Sequence, residues 1–266
     1  EFFDSDLVYR GLKPVHWDWD SKTALAEAEV EYQSLRTEHV YVKFPIDRLP
    51  DALDESVGDR PAYVLIWTTT PWTLPANLAI ALNPSLNYQI VEVDGEALVL
   101  AEGLRDRVFE DCDIEEFEVL AEFEGRELVG ELGEKTGYAA NHPWIDRHSV
   151  LLPAPYVTLE QGTGCVHTAP GHGQEDFALA QEHGLDVLCP VNEEGKYSES
   201  FELEVKDGEV KDFEGMHVLS ANKHISYALD RMGALLNEPG ERVEIERYPF
   251  GWRSKKPVIF RATTQW

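Results

Sequence analysis

The sequence predicts a mainly β fold with added helices (α+β), in the form of an irregular closed β-barrel decorated by helices. Three observations carry this expectation. Strand-like runs outnumber helical ones, the connections between them are long, and no internal repeat or low-complexity tract divides the chain. Residues 50–59 are acidic and rich in turn formers, and read as an exposed connection. Residues 63–67 form a continuous apolar run, as a buried strand would. Residues 88–93 and 96–100 flank Asp94-Gly95, a strong two-residue hairpin signal. Residues 150–152 and 164–167 are further strand candidates.

The helical signals are fewer. Residues 175–183 carry acids at the front and an apolar spacing that ends at Gly184, a natural helix stop. Ser220 is placed to cap a helix running through Ile225, Ala228, Leu229 and Met232, with Gly233 ending it. Residues 23–32 are ambiguous, because Ala and Glu favour helix while the alternation of Ala24, Ala26, Ala28 and Val30 suits a strand.

Composition bounds the function. With 266 residues, 43% hydrophobic and 11% aromatic, the chain is globular and long enough for one large or two small domains. Its 23 basic and 50 acidic side chains give a net charge of −27, which argues against a broad electrostatic grip on DNA or on anionic membranes. No run of 18 apolar residues is present, and the start at Glu1 lacks a basic region followed by an apolar one, so neither a spanning helix nor a signal peptide is expected. The two ends, Glu1 and Trp266, read as cut points in a longer chain. Cys112, Cys165 and Cys189 are odd in number and form no C-x-x-C pair, which argues for a reducing, cytoplasmic setting without disulfides. The acids are spread along the chain, which favours a solvated acidic surface suited to salty cytoplasm over a site for a basic partner.

Two segments carry chemistry. In residues 67–77, Thr68, Thr69 and Thr70 end a buried strand and Pro71 turns the chain. Such a cluster can hold a water or an ester oxygen without adding charge, although three β-branched residues also simply suit a strand edge. Residues 162–177 contain Gly162, Gly164, Gly171 and Gly173, which let backbone approach a ligand. A dinucleotide fingerprint is a poor reading, since His167 stands where its last glycine would be. His167 and His172 lack a third metal ligand at useful spacing. Asp176 falls in the first turn of a predicted helix whose N-terminus favours its ionised form; it suits an ammonium ligand, or simply the helix itself. Cys165 and His167 share a strand face, which weakly suggests a thiolate–imidazole pair.

These segments resemble the editing domain of isoleucyl-tRNA synthetases, the connective insertion of the class I catalytic domain. The resemblance covers essentially the whole chain. Residues 9–15 look like the lead into the insertion, 67–77 like its threonine-rich motif, 162–177 like its glycine-rich histidine–aspartate motif, and 252–263 like the return to the catalytic core. The threonine motif discriminates, because leucyl and valyl relatives typically carry an arginine and an acid where Thr70 and Trp72 stand here. The adenylate-forming signatures of the full enzyme are absent from the sequence. The implied organisation is a lead-in segment and β-ribbon over 1–50, an editing barrel over 51–240 and a return segment over 241–266.

The implied reaction is hydrolysis of valine from the 3′ end of the isoleucine tRNA, with valyl-adenylate as a further substrate. One methylene is worth only about 1–3 kcal/mol in an apolar pocket, and the isoleucine–valine pair is itself the standard instance of that limit. A second, smaller pocket can then reject isoleucine by size. The resemblance implies that Asp176 pairs with the substrate ammonium, that Thr68, Thr69 and Thr70 position water and ester, and that Trp72 and His167 shape the valine pocket. It further implies substrate contacts from Thr73, Gly164 and Thr168, support of the motif or an adenosine contact from Asn77, and a place near the site for Tyr248. The partners are the tRNA 3′ end and the rest of the parent synthetase. The rival readings are a non-catalytic docking module for the tRNA end and an esterase using Cys165 and His167. Many bacterial members carry two C-x-x-C pairs that bind a structural zinc. Here those positions are Asp18, Ser21, Gly251 and Ser254, so no zinc and no editing cofactor is expected.

Overall fold

The computed structural model describes residues 10–133, 136–205 and 208–265. Tyr9 of the lead-in motif and Trp266 of the return segment lie outside the described residues. The described chain opens with four strands, β1 (Gly11–Asp18), β2 (Thr23–Leu25), β3 (Val30–Glu38) and β4 (Val40–Pro45), followed by helix α1 (Asp51–Val57). The centre of the chain carries β5 (Ala62–Thr68), β6 (Ala79–Leu82), β7 (Asn87–Val93), β8 (Glu96–Ala101), α2 (Arg105–Asp111), β9 (Glu118–Glu124) and α3 (Gly125–Val129). Then come β10 (Ala139–Asn141), β11 (His148–Pro153), β12 (Cys165–Thr168), α4 (Gln174–His183), β13 (Glu202–Glu204) and β14 (Val210–Asp212). Helix α5 (Val218–Arg231) precedes β15 (Arg242–Gly251) and β16 (Ile259–Gln265). The architecture is mainly β with helices added.

Two sheets build the body around the site. The larger has the order β4-β5-β8-β7-β9 and the smaller β10-β11-β6-β12. Strands β5 and β8 pair in parallel at the centre of the larger sheet. Val64, Leu65 and Ile66 on β5, and Leu98, Val99 and Leu100 on β8, are fully buried. Such runs are apolar on successive residues because both faces of the sheet are covered. The β7–β8 hairpin turns at Asp94 and Gly95, whose φ angles of 51° and 85° suit a two-residue turn matched to strand twist. The two sheets are tied where Ala101 N donates to Thr163 O at 2.8 Å and Tyr88 Oη donates to Gly164 O at 2.7 Å. Outside this body, β1 pairs with β16 and β2, β15 pairs with β3, and β13 pairs with β14.

Three local expectations change. Residues 50–59 are not simply an exposed connection, because α1 occupies Asp51–Val57 and buries Leu53 and Val57. Those two residues stand four apart, so one helical face serves the core while Asp51 and Asp54 occupy the favourable first turn. Residues 23–32 resolve into strand, since β2 and β3 flank a single 3-10 turn at Glu27–Glu29. Helix α5 is capped by His217, whose side chain accepts from Leu219 N at 3.3 Å; Ser220 lies one turn inside. The Gly184 stop is as expected, with φ 65° and ψ 38°.

Gly164 is a tight junction of the two sheets. Its φ is 77°, and a Cβ there would lie 2.4 Å from the Ala101 Cβ. Gly164→Ala is therefore expected to destabilise the fold by about 2–4 kcal/mol, from left-handed strain plus overpacking. Urea unfolding measures this, and a shift below 1 kcal/mol would contradict the close approach.

Candidate functional site

The threonine motif and the glycine-rich motif meet in one cavity of about 250 Å³. Thr68 closes β5, and Pro71 starts a 3-10 turn over Pro71–Ala76. Proline suits this start, since a first-turn position has no partner for an N–H. Strand β12 pairs with β6 so that His167 stands opposite Ile80. The loop after β12 then delivers Asp176 in the first turn of α4. Thr68, Thr69, Thr70, Thr73, Gly164, His167 and Asp176 all line the cavity.

The threonines are ordered by one another. Thr70 N donates to Thr68 Oγ1 at 3.1 Å, and the two hydroxyls lie 3.1 Å apart. Thr69 is half-buried and its hydroxyl makes no hydrogen bond among the described residues, which leaves it available to a ligand.

His167 is buried and held at both ring nitrogens. Thr73 Oγ1 lies 2.9 Å from Nε2, and Asn77 Nδ2 lies 2.7 Å from Nδ1. Burial, helped by the neighbouring His142 and His172, depresses its pKa to about 3, so the ring is neutral at physiological pH. It is a wall of the cavity that carries no charge.

Asp176 departs from the sequence-based expectation. Its Oδ2 accepts a hydrogen bond from Ala169 N at 2.7 Å, which favours the charged form. Burial outweighs that bond and the helix N-terminus, and Glu175 adds repulsion, so the pKa rises to about 6. The carboxylate is mostly ionised at pH 7 but poorly solvated, and a cationic ligand would relieve it. Gly173 makes room for this carboxylate, because a Cβ there would lie 2.8 Å from the Asp176 Cγ.

Four expected residues do not line the cavity. Trp72 stands behind it, with its ring 4.9 Å from that of His172 and its backbone N donating to Asn222 Oδ1 at 3.0 Å. Asn77 is fully buried and supports His167 from behind. Thr168 is buried and turns its hydroxyl to Val166 O at 3.2 Å. Tyr248 lies on β15, paired with Gln33, and packs on Phe250 with ring centroids 6.2 Å apart. Cys165 and His167 do not form a nucleophile pair. Burial pushes the thiol pKa far up, its sulfur faces Val99 O at 3.9 Å, and both ring nitrogens of His167 are already engaged.

Sequence reasoning did not single out several lining residues, among them Trp67, Gln161, Thr163 and His172 as a wall. Trp67 and Thr163 lay within the quoted motifs, but nothing local showed which way they face. Positions Asp18, Ser21, Gly251 and Ser254, where no zinc is expected, do converge. Asp18 Oδ2 accepts from Ser21 Oγ at 2.6 Å, and a Cβ on Gly251 would lie 2.6 Å from Ser254 Oγ and 3.0 Å from Asp18 Oδ2. With one carboxylate engaged by hydrogen donors and no thiol or imidazole, this cluster does not fit zinc. Among the described residues no helix is long and apolar enough to cross a membrane.

Comparison with known proteins places the chain. The family profile described as tRNA synthetases class I (I, L, M and V) matches residues 1–266. The chain belongs to the class I tRNA synthetases. Within this family it is 46% identical over 267 residues to the isoleucine–tRNA ligase of Syntrophotalea carbinolica, covering 100% of this chain and 26% of that protein. It is 43% identical over 261 residues to that of Bacillus subtilis, covering 97% of this chain and again 26% of the relative. The chain thus spans about a quarter of the length of these class I relatives. Its fold is similar to the crystal structure described as GlLeuRS-CP1, with a TM-score of 0.54, 17% identity, and coverage of 76% of this chain and 100% of that one. It is also similar to the editing domain of P. knowlesi cytosolic leucyl-tRNA synthetase, with a TM-score of 0.52, 13% identity, and coverage of 80% and 100%.

The raised pKa of Asp176 fixes the sign of a pH effect. Its folded value of about 6 exceeds the ordinary carboxylate value near ~3.9, so the native state holds the extra proton between these limits. The stability it contributes is present below about pH 4 and is lost as pH rises through about 6. Asp176→Asn keeps an acceptor for Ala169 N and removes the buried charge. Its melting temperature should match wild type near pH 4 and exceed it by several degrees at pH 7.5; equal values at both pH settings would refute the burial argument.

Proposed function

We propose that this cavity hydrolyses the ester of valine misloaded onto the isoleucine tRNA, as the editing site of an isoleucine–tRNA ligase. The observation that carries the reading is the meeting of Asp176 and the threonine cluster in one cavity of about 250 Å³. An aminoacyl ester presents an ammonium group beside an uncharged carbonyl. Asp176 offers the only carboxylate among the lining residues, poorly solvated and relieved by a cation. The hydroxyls of Thr68, Thr69 and Thr70 offer hydrogen bonds without charge to the ester and to the attacking water. His167 and the backbone at Gly164 close the cavity around a small branched side chain, and an added methylene would have to displace packed atoms. No step needs a metal or a covalent intermediate, and valyl-adenylate presents the same ammonium and carbonyl to the same groups.

The 3′ end of the tRNA is the part that must enter. A chain at −27 has few cations with which to displace counterions, so the body of the tRNA is held by the rest of the parent synthetase. The decisive measurement is deacylation of valyl-tRNA by that parent enzyme. Asp176→Ala should lower the rate by about a hundredfold or more, the scale for stranding a buried charge without its partner, whereas Cys165→Ala should retain it. Near-normal hydrolysis by the Asp176 variant would leave the cavity as a non-catalytic dock for the tRNA end.

Selectivity has its own test. His167→Ala removes a buried wall and should raise cleavage of isoleucyl-tRNA by about tenfold or more, the order of one methylene's discrimination. Unchanged rejection of isoleucine would place the size barrier elsewhere.

A further inference from the structure

The three threonines of the cavity stand between Trp67 and Trp72 in the chain, and both tryptophans are held from one place. Among the described residues, β3 and β15 form a two-stranded ribbon of their own, which enters the body at residues 37–39 and 241–242. Beyond this root the chain becomes β4, whose Val40 and Tyr41 stand opposite Thr68 and Trp67. Strand register thus brings the root beside the threonine segment. The root is also fixed in itself. His39 N donates to Glu241 O at 3.2 Å, and Arg242 Nη2 donates to the buried Glu38 carboxylate at 2.6 Å. Asn237 Nδ2 donates to His39 O at 3.3 Å while its Oδ1 accepts from Tyr41 N at 2.9 Å.

Two side chains carry the root to the tryptophans. An indole N–H can only donate, and Trp67 Nε1 donates to His39 Nδ1 at 3.0 Å, so that ring nitrogen is bare and accepting. The buried His39 ring also packs edge-on against Trp67 and Tyr41, with centroids 6.3 and 5.9 Å apart. At the other flank, the N–H of Trp72 belongs to the first turn of a 3-10 helix, where backbone donors lack partners within the helix. Asn222 on α5, 2% exposed, accepts it at Oδ1 at 3.0 Å. That bond orients the amide, so Nδ2 faces Thr37 Oγ1 at 3.4 Å, back on the ribbon root.

We propose that His39 and Asn222 are positioning residues for ester hydrolysis: through them the ribbon root holds both flanks of the Thr68–Thr70 segment and fixes where its hydroxyls stand. Neither residue lines the cavity. Asp176 is held separately, by Ala169 N of the glycine-rich motif. Loss of either positioning residue therefore moves the hydroxyls that meet ester and water and leaves the ammonium contact in place, so it lowers kcat and spares KM. That the affected step is ester hydrolysis rests on the function proposed above, whereas the grip on the tryptophans does not.

His39→Leu removes the accepting nitrogen, and His39→Asn puts an oxygen in the place of Nδ1. In the parent synthetase, His39→Leu should lower kcat for valyl-tRNA deacylation by about tenfold, the order of one lost hydrogen bond, with KM within about twofold. His39→Asn should recover most of that loss. Asn222→Leu should give the same split, since it strands the Trp72 N–H. In the 266-residue chain labelled at tryptophan nitrogen, the Trp67 indole proton should exchange slowly in wild type, fast in His39→Leu and slowly again in His39→Asn. Full kcat in His39→Leu, an equal loss in His39→Asn, or a raised KM with kcat unchanged would overturn the assignment of His39. Full kcat in Asn222→Leu would overturn that of Asn222. If wild type does not deacylate valyl-tRNA at all, the function proposed above fails, and the indole proton alone decides the grip; unaltered exchange in His39→Leu overturns it. Should the leucine variant fail to fold, His39→Phe keeps a ring against Tyr41 and Trp67 and loses the accepting nitrogen, and the same outcomes decide.

Discussion

The site depends on one buried neutral imidazole. His167 lies 94 residues from Thr73 and 90 from Asn77, and its two hydrogen bonds hold the strand of the glycine-rich motif against the turn of the threonine motif. A charged ring could not serve here, because the Asn77 N–H already occupies the place of a second ring proton. Without this pin, the threonines would face a different wall. The β10–β11 hairpin supports the same turn from outside. Arg147 Nη1 donates to Pro75 O at 3.1 Å and to Asn77 O at 2.8 Å, and His142 Nε2 lies 2.9 Å from Leu74 O. Three carbonyls of this proline-containing turn, those of Leu74, Pro75 and Asn77, thus gain partners from a distant hairpin.

Asp176 expresses the opposite choice, a charge placed where folding alone would not put it. A carboxylate lifted to a pKa of about 6 is stability forgone in the empty protein and affinity held in reserve for a cation. The glycine at position 173 is what makes that placement sterically possible. Charge of one sign over the rest of the molecule is handled differently. Lys22, Lys255 and Lys256 are engaged with Glu194, Glu31 and Asp20 at the surface, where such pairs are worth little and mainly screen the excess of acid. The cavity and the surface therefore use acids for unrelated ends.

Local signals were legible wherever a rule spans a few residues. The Asp94-Gly95 hairpin, the apolar run that became β5, the Gly184 helix stop and the two motifs could be read without any structure. So could the class of the fold, since many short strands with few helices leave little choice. Signals that depend on what comes to meet a segment were not legible. The acidic stretch after Pro50 looked like a loop because its helix is revealed only by the burial of Leu53 and Val57. Ser220 looked like a cap because nothing local shows that His217 turns its ring back to Leu219 N.

For the site, the sequence by itself determined the chemical vocabulary: three hydroxyls at a strand end, glycines that admit close approach, one acid at a helix start and a histidine on a strand. Only the tertiary structure decided their grammar. It put Trp72, Asn77, Thr168 and Tyr248 outside the cavity, raised the Asp176 pKa that the helix terminus alone would have lowered, and separated Cys165 from His167 as partners. The physical reason is range. Propensity and turn chemistry act over a few bonds of chain, while solvation and hydrogen-bond direction are set by atoms that arrive from some ninety residues away.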